Sequence, residues 1–265
     1  MKRLIPGIAL CCGLAGWVSG QAPAVHEALT LDQCIAIALM QNPLLLSSDQ
    51  LYRASLARVE QAKALSPPGL DFDSDLQPRL LDFRGSGESY IGISQALDFP
   101  GKRGLRGKIA SRESSELRMD TELLRLDLIF QVKETFYGLL LAQEILKYAD
   151  QDVELARDYL KMAQIKLEAG DVARVEVLRA RVEVGKAENS VRAAANGVRL
   201  AKARLNFLLA RKKYEPLEIV GEFKKQNPEL TLDKLREKAL TMRPEIKRIG
   251  YSLDKESLRK TLGYL

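Results

Sequence analysis

The chain has 265 residues, enough for one or two domains, and a net charge of +6. Its basic residues are interspersed with acids, which argues against a nucleic-acid-binding protein. Cys34 is the only cysteine outside residues 1–20 and His26 is the only histidine, so we expect no internal disulfide and no protein-built metal site.

Residues 1–20 have the features of a secretory signal peptide. A basic start at Lys2 and Arg3 precedes a short apolar run that ends at small residues. The run is shorter than the ~20 residues that a membrane anchor needs, and Cys11 lacks the small preceding residue of a lipoprotein signal. We therefore expect export, with cleavage before Gln21.

Residues 21–66 are predicted to form two helices. The first covers residues 29–41 and has Thr30 or Asp32 near its start, where either side chain can cap the helix. Pro43 suits the first turn of the second helix, which should end at the Ser-Pro-Pro-Gly sequence that follows.

Residues 67–100 have a different period, typical of a β-hairpin. Apolar residues alternate with acids in Leu70–Leu76 and, more loosely, with small or polar residues in Ile91–Phe99, and a polar loop at 78–89 separates them. Lengths of about ten residues suit strands of a transmembrane barrel that turn their apolar side chains outward. A soluble β-hairpin explains the same pattern, but export and the long helices that follow favour the membrane.

Residues 101–213 contain no proline, and their apolar residues step by threes and fours. A sustained 3–4 alternation is a heptad seam, so we predict two long helices packed as an antiparallel coiled coil. The first seam is Val132, Thr135, Leu139, Ala142, Leu146, Ala149, Val153, Ala156, Leu160, Ala163 and Leu167; the second is Val177, Ala180, Val184, Ala187, Val191, Ala194, Val198, Ala201, Leu205 and Leu208.

The turn between these helices is predicted at residues 167–178. Gly170 suits a left-handed cap at the end of the first helix, and Asp171 suits the N-cap of the second. Both helices also carry apolar residues off the seam, which a ring of helices with two neighbours each would require, although extra packing within a bundle is an alternative. These residues, the second stripe, are Leu141, Ile145, Leu155, Tyr159, Met162, Leu178 and Val182.

The strand-to-helix junction carries an unusual run of cations. Pro100 and Gly101 turn the chain from the second strand into the long helix, whose first turns would be stabilised by acids and not by bases. A solvated face explains such a run, and contact with anionic lipid headgroups is the alternative. The cations are Lys102, Arg103, Arg106, Lys108 and Arg112.

Residues 214–265 comprise an irregular linker and the beginning of an internal repeat. Seven residues recur at one shared offset, which indicates a duplicated unit whose second copy stops partway through its own second helix, at Tyr264-Leu265. Leu29-Thr30-Leu31-Asp32 recurs as Leu230-Thr231-Leu232-Asp233, Ala38-Leu39 as Ala239-Leu240, and Pro43 as Pro244.

This order of elements resembles the TolC-like family of outer membrane efflux proteins. The Phe99–Arg103 run is most similar to the branch paired with heavy-metal efflux pumps of the CzcC kind. The motifs that carry the resemblance are the Leu29–Asp32, Ala38-Leu39 and Asn42-Pro43 group, Ser94–Arg103, Phe136–Ala142, Glu168–Val172 through Val177-Leu178, and Ala203–Leu209.

The resemblance implies a mainly α fold with a small antiparallel β part, equivalent to half of a protomer. Family members are trimers with a β-barrel in the outer membrane of a Gram-negative-type cell and a periplasmic α-barrel. Hairpin tips meet the adaptor of a tripartite pump, and small molecules or metal ions pass through the lumen without catalysis or cofactor. The adaptor-contacting residues here would be Leu167, Gly170, Asp171, Val172, Val175 and Leu178, and the junction residues Phe99, Pro100, Gly101, Lys102 and Arg103.

Three features depart from the family pattern. The family often has Arg-Tyr where this chain has Lys166-Leu167, a hydroxyl residue where Ala173 stands, and glycine where Ala210 stands. The sequence also shows no second strand pair and no second long hairpin, so no gate residues are assigned. We interpret the chain as a fragment or a prematurely ended gene product that aggregates or assembles abnormally when isolated.

Two other functions fit parts of the pattern. A periplasmic adaptor is also exported and built on a coiled-coil hairpin, but its flanks are glycine-rich β-structures, whereas here they are helices and one strand pair. A structural coiled-coil stalk explains the heptads but neither the strands nor the repeat. An enzyme is disfavoured because the sequence has no nucleophile–base pair, phosphate loop or metal constellation.

Overall fold

A computed structural model describes residues 28–74, 89–223 and 231–265. It confirms a mainly α fold with one small antiparallel sheet; the signal peptide and most of the polar loop after the first strand lie outside the described residues. None of the helices in these ranges is both long and apolar enough to cross a bilayer. The elements are α1 (Leu31–Gln41), α2 (Pro43–Lys63), β1 (Gly69–Ser74), β2 (Ser89–Ser94), α3 (Lys102–Glu168), α4 (Arg174–Leu208), α5 (Leu232–Met242) and α6 (Pro244–Gly263).

The long hairpin consists of α3 and α4. Helix α3 has 67 residues and α4 has 35, so at about 1.5 Å per residue they are roughly 100 and 50 Å long. Every predicted seam residue of both helices is buried or half-buried, and Val132, Leu139 and Leu205 are inaccessible to solvent. The antiparallel coiled-coil prediction is therefore confirmed.

The main core lies where α1 packs against the open end of the hairpin. Phe136 of α3 and Leu205 of α4 are buried together with Cys34 and Ala38 of α1. Residues 217–219, after α4, complete this core through Leu217 and Ile219. The chain before α1 is fastened there as well, because the Leu29 amide donates to the Glu218 carbonyl at 2.9 Å and the Val220 amide to the Leu29 carbonyl at 3.0 Å.

Helices α2 and α6 flank the first third of α3, and both run antiparallel to it. Helix α2 meets α3 through small and hydroxylated side chains: the Ser55 hydroxyl donates to the Ser114 hydroxyl at 2.9 Å. Helix α6 meets α3 through ion pairs, of which Lys255 Nζ to Glu116 Oε2, at 2.7 Å, is the least exposed. The ends of α2 and α6 therefore lie at the level of the beginning of α3.

The helices of the two copies of the repeat begin at equivalent positions. Helices α1 and α5 each have 11 residues and follow a threonine N-cap, and α2 and α6 each begin at a proline. Thr30 forms a capping box with Gln33, whereas the side chain of Thr231 makes no cap hydrogen bond. No residue of α5 or α6 is buried.

The sheet pairs β1 with β2 so that Leu70 faces Ile93 and Phe72 faces Ile91, while Asp71 and Gly92 lie on the opposite face. The apolar face predicted by the alternation is therefore present. Both strands have six residues, and the predicted continuation of the second strand to Phe99 was wrong. Ser94 is paired with the first residue of β1, and the two prolines that precede β1 have no N–H groups to continue the ladder.

Candidate functional site

The hairpin tip is shaped by a left-handed glycine at the end of α3. Gly170 has φ of +84°, its amide donates to the Leu167 carbonyl at 3.0 Å, and the Asp171 amide donates to the Lys166 carbonyl at 2.9 Å. This pair of bonds is a Schellman motif, which uses the last free carbonyls of the helix. The predicted left-handed cap at Gly170 is confirmed.

Asp171 does not cap the second helix, contrary to the sequence prediction. Helix α4 begins at Arg174, and its N-cap is Ala173, which has the extended backbone of an N-cap but no side-chain oxygen. The Schellman turn places two residues between Asp171 and the helix, which puts the carboxylate outside the cap position. The family's preference for a hydroxyl residue where Ala173 stands now has a physical reason, because this position caps α4.

The predicted tip residues divide into an inner and an outer set. Leu167 packs against the small core of the tip, formed by Ala163, Val177 and Ala180, and Val172 is half-buried. Gly170, Asp171, Val175 and Leu178 are exposed. Ile165 is equally exposed near the end of α3; the sequence analysis did not select it, although it lies three residues from Met162 on the second stripe.

The second stripe is exposed along the hairpin. All seven of its residues are at least half exposed, Leu155 reaching 70%, although the seam beside them is covered. An ion pair from Arg157 Nη2 to Glu188 Oε1, at 2.7 Å, lies between the two helices. The hairpin thus has a buried apolar seam between α3 and α4 and a second apolar surface that remains exposed.

The strand-to-helix junction is a tight turn. The Lys102 amide donates to the Phe99 carbonyl at 3.1 Å, and Gly101 at the third position of this turn has φ of +96°. Proline at the second position and a left-handed glycine at the third are typical of a type II turn. The side-chain amide of Gln95 also donates, through Nε2, to the Ser66 carbonyl at 2.6 Å. This bond connects the residues before the junction to the chain that follows α2.

The cations of the junction have few acidic neighbours. Arg106 pairs with Asp98, and Arg112 Nε lies 3.5 Å from Asp254 Oδ2 of α6. Lys102, Arg103 and Lys108 form no ion pair within the described residues. The predicted junction residues, Phe99 to Arg103, form one turn at the start of α3, and the length of α3 separates them from the tip.

The C-terminal end of α4 repeats the Schellman motif with an unfavourable residue. Ala210 has φ of +55°, its amide donates to the Phe207 carbonyl at 3.1 Å, and the Arg211 amide donates to the Asn206 carbonyl at 2.8 Å. An L-residue in this left-handed conformation is strained, which explains why the family favours glycine here. Two buried asparagines stabilise the same end: Asn206 Nδ2 donates to the Glu215 carbonyl at 2.8 Å and Asn42 Nδ2 to the Leu208 carbonyl at 3.2 Å.

Within the described ranges, no three histidine, cysteine, aspartate or glutamate side chains are grouped so that they could hold a metal ion. Cys34 is buried as a free thiol. Burial raises the pKa of this thiol to about 11, although the positive charge of Arg211 partly opposes the shift. A protonated, inaccessible thiol packs as a small apolar side chain. The candidate functional features are therefore surfaces: the tip, the second stripe, the junction and the apolar face of the sheet.

Comparison with known proteins gives a consistent result. The family model described as outer membrane efflux protein matches residues 34–211, and no curated protein sequence matches the chain. The solved structures similar to it include the outer-membrane channel OprN (TM-score 0.70, 20% identity, 86% of this chain and 54% of that one). CusC is similar with a TM-score of 0.68 and 15% identity, over 86% of this chain and 54% of that one. The CmeC outer membrane channel of Campylobacter jejuni is similar with a TM-score of 0.66 and 18% identity, over 86% of this chain and 51% of that one. At these identities the likeness concerns the fold, and the chain spans about half the length of each structure.

Proposed function

Because the chain belongs to the outer membrane efflux protein family, we propose that it contributes the outer membrane channel of a tripartite efflux system. The channel is a passive conduit for exported small molecules or metal ions and performs no catalysis. The sheet lies in the outer membrane of a Gram-negative-type cell, and the long hairpin extends into the periplasm.

The exposed second stripe is the observation that carries this proposal. An isolated two-helix coiled coil needs one apolar seam, and α3 and α4 have already buried theirs. Seven further apolar side chains, from Leu141 to Val182, remain about half exposed to water, so covering each of them would contribute roughly 1 kcal/mol. Lateral neighbours of the same kind cover such a surface, and helices that each have two neighbours close into a ring. A ring of hairpins encloses a lumen.

The apolar face of the sheet supports membrane placement. Leu70, Phe72, Ile91 and Ile93 share one face, and Ile93 is 79% exposed. Their polar neighbour Asp71 lies on the other face, toward the interior of a barrel in this proposal. A two-stranded sheet has two unpaired edges that a bilayer cannot satisfy, so strands from other copies would complete the barrel. Three copies, the usual number in the resembling family, would make a homotrimer.

The tip is the proposed contact with a periplasmic adaptor, which connects the channel to an inner membrane pump. Val175 and Leu178 are half exposed on the outer side of α4, beside the Schellman turn at Gly170. The turn at Gly170 fixes the position of the start of α4, and Gly170 and Asp171 in this turn are themselves exposed. The adaptor-contacting set is therefore proposed as Leu167, Gly170, Asp171, Val172, Val175 and Leu178, with Leu167 and Val172 supporting the exposed residues.

The assembly proposal is tested with the full chain in detergent-free buffer by sedimentation velocity. We expect the wild type to self-associate and the double variant Leu155→Glu/Tyr159→Glu to shift markedly toward smaller species, because charges on the stripe prevent lateral packing. Lys161→Glu, an exposed change on α3 outside the stripe, is the control and should behave like the wild type. A monodisperse wild-type monomer would contradict the proposal.

The adaptor contact is tested by capture of a purified periplasmic adaptor of a tripartite pump. Val175→Asp, at the tip and outside the second stripe, should abolish capture, whereas Arg181→Glu, an exposed change farther along α4, should not. Unchanged capture by the tip variant would show that the adaptor binds elsewhere.

The similarity of the junction motif to the heavy-metal branch predicts that deleting the gene sensitises cells to divalent metal ions more than to organic compounds.

A further inference from the structure

The first two turns of α3 carry cations where a helix is least tolerant of them. Lys102, Arg103, Arg106 and Lys108 lie there, and the first acid of the helix is Glu113. The N-terminus of a helix carries partial positive charge from its free N–H groups, so these cations oppose the macrodipole. The C-terminal ends of α2 and α6, which lie at the same level, carry partial negative charge and offset part of this effect.

Ion pairing within the chain accounts for only part of the run. Arg106 is paired with Asp98, while the described residues offer no carboxylate partner to Lys102, Arg103 or Lys108. Lys63, at the end of α2, differs from them in its position along the helix and in having an acidic partner. It lies at a helix C-terminus, where a cation is favourable, and its ammonium group is 2.8 Å from Glu60 Oε1.

Three helix ends bring positive charge to the same level of the molecule. The stem of Lys63 packs against Gly107, which places the end of α2 beside the second turn of α3. Helix α6 runs antiparallel to α3 and is paired with it through Lys255 and Glu116, so the last turn of α6, with Lys260, reaches this level too.

The exposed apolar surface of the sheet begins directly beyond these charges. Ile93 in β2 is exposed, and so are Leu97 and Phe99 in the residues that lead from β2 into α3; Leu97 reaches 82%. Only the turn at Pro100 and Gly101 separates Phe99 from Lys102. An apolar surface bordered by an aromatic residue and then by lysine and arginine is the pattern that proteins show where hydrocarbon meets lipid headgroups.

We infer that Lys102, Arg103 and Lys108 form a cationic belt that binds the anionic phospholipid headgroups of the membrane leaflet next to the periplasm. This inference rests on the proposed function, which places the sheet in the outer membrane. The flexible stems follow the apolar surface while the charged groups reach the phosphates, and the guanidinium of Arg103 can donate two parallel hydrogen bonds to one phosphate. Headgroup binding offsets the unfavourable macrodipole and fixes the depth at which the hairpin leaves the membrane.

The test measures flotation of the full chain with vesicles of pure phosphatidylcholine and with vesicles that also contain phosphatidylglycerol. The wild type should partition more strongly to the anionic vesicles, and this preference should decline at high salt. In the Lys102→Gln/Arg103→Gln variant, the ratio of partitioning to anionic over neutral vesicles should fall about fivefold for each cation removed. These substitutions remove an unfavourable interaction with the helix dipole, so the variant should fold at least as well as the wild type by circular dichroism.

The control variant Lys161→Gln/Arg181→Gln removes two exposed cations from the distant part of the hairpin and should keep the full preference. If the wild type floats equally with both vesicles, and the belt variant does the same, the belt has no headgroup role while membrane placement stands. If the wild type floats with neither, membrane placement fails as well. Release by inorganic phosphate at constant ionic strength would show a site for free phosphate and would overturn the inference.

Discussion

Helices α1–α2 and α5–α6 are two copies of one sequence unit, with matching helix starts and different burial. Cys34 in α1 is completely buried, whereas Leu235 at the equivalent position of α5 is 42% exposed, although leucine is the more hydrophobic residue. Asn42 is buried and bonded to the hairpin, whereas its counterpart Arg243 caps nothing with its side chain. The repeated motif thus determines where helices begin and end, and the surface available to each copy determines whether it is buried.

The partners of the two copies explain this difference. The first copy packs on the open end of the hairpin, where α3 supplies Val132 and Phe136, α4 supplies Leu205, and residues 217–219 supply Leu217 and Ile219. The second copy touches α3 by ion pairs such as Arg248 Nε to Asp120 Oδ1, at 2.8 Å, and the apolar residues Ile246, Ile249 and Leu253 of α6 remain exposed. Exposed ion pairs contribute little to stability compared with buried apolar area.

Thiol labelling should reveal the largest contrast between the copies. In a Cys11→Ser/Cys12→Ser background at pH 8, we expect Cys34 to react at least about 100-fold more slowly than the single thiol of a Cys34→Ser/Leu235→Cys variant. Burial excludes the reagent, and a folded pKa of about 11 leaves little thiolate. The Cys34 rate should keep rising between pH 9 and 11, and both thiols should react alike in denaturant. Similar rates under native conditions would remove the contrast.

Truncating equivalent apolar side chains tests the same contrast in stability. Leu45 of α2 is 5% exposed and Ile246 of α6 is 43% exposed. Leu45→Ala should lower the free energy of unfolding by about 3 kcal/mol because it leaves a cavity in the core, whereas Ile246→Ala should cost less than about 1 kcal/mol. Urea unfolding followed by circular dichroism measures both, and equal losses would show that the second copy is also part of the core.

The residue between the two helices of each copy gives an intermediate effect. Asn42 accepts from the Leu44 amide at 3.0 Å as the N-cap of α2 and donates to the Leu208 carbonyl of α4. Asn42→Ala should therefore cost about 2 kcal/mol, since it removes a cap and leaves a partly buried carbonyl unpaired. Arg243→Ala should change stability by less than about 0.5 kcal/mol. A comparable loss at Arg243 would mean that it anchors the second copy.

The smallest expected effect is a stabilisation of the platform on which the first copy packs. Ala210→Gly should raise the free energy of unfolding by about 1 kcal/mol, because glycine adopts the left-handed conformation at the end of α4 without strain. The same substitution at Ala195, exposed in the middle of α4, should lower stability by about 1 kcal/mol. Thermal melting of both variants provides the measurement, and a loss at Ala210 would refute the strain argument.

Much of the fold could be predicted from periodicity. The heptad seam appears in the sequence because residues that face the partner helix are apolar or small, so burial produces a periodic pattern of such residues. The two-residue period of Leu70 and Phe72 predicted the apolar face of the sheet for the same reason. The end of β2 was not predictable from its own residues, since it depends on where the partner strand begins. Asp171 was assigned to the wrong cap because a turn two residues longer than assumed moved the helix start to Arg174.

The sequence by itself determined the hairpin seam, the left-handed turn at Gly170 and the prolines at which α2 and α6 begin, because each depends on local spacing, and it carries the motifs that resemble the family. Only the tertiary structure showed that Ala210 is strained, that Asn42 joins the first copy to the hairpin, and that the second stripe and the second copy are uncovered. These features depend on contacts between residues far apart in the chain. Identical motifs can therefore end in a core or at a surface, depending on what packs against them.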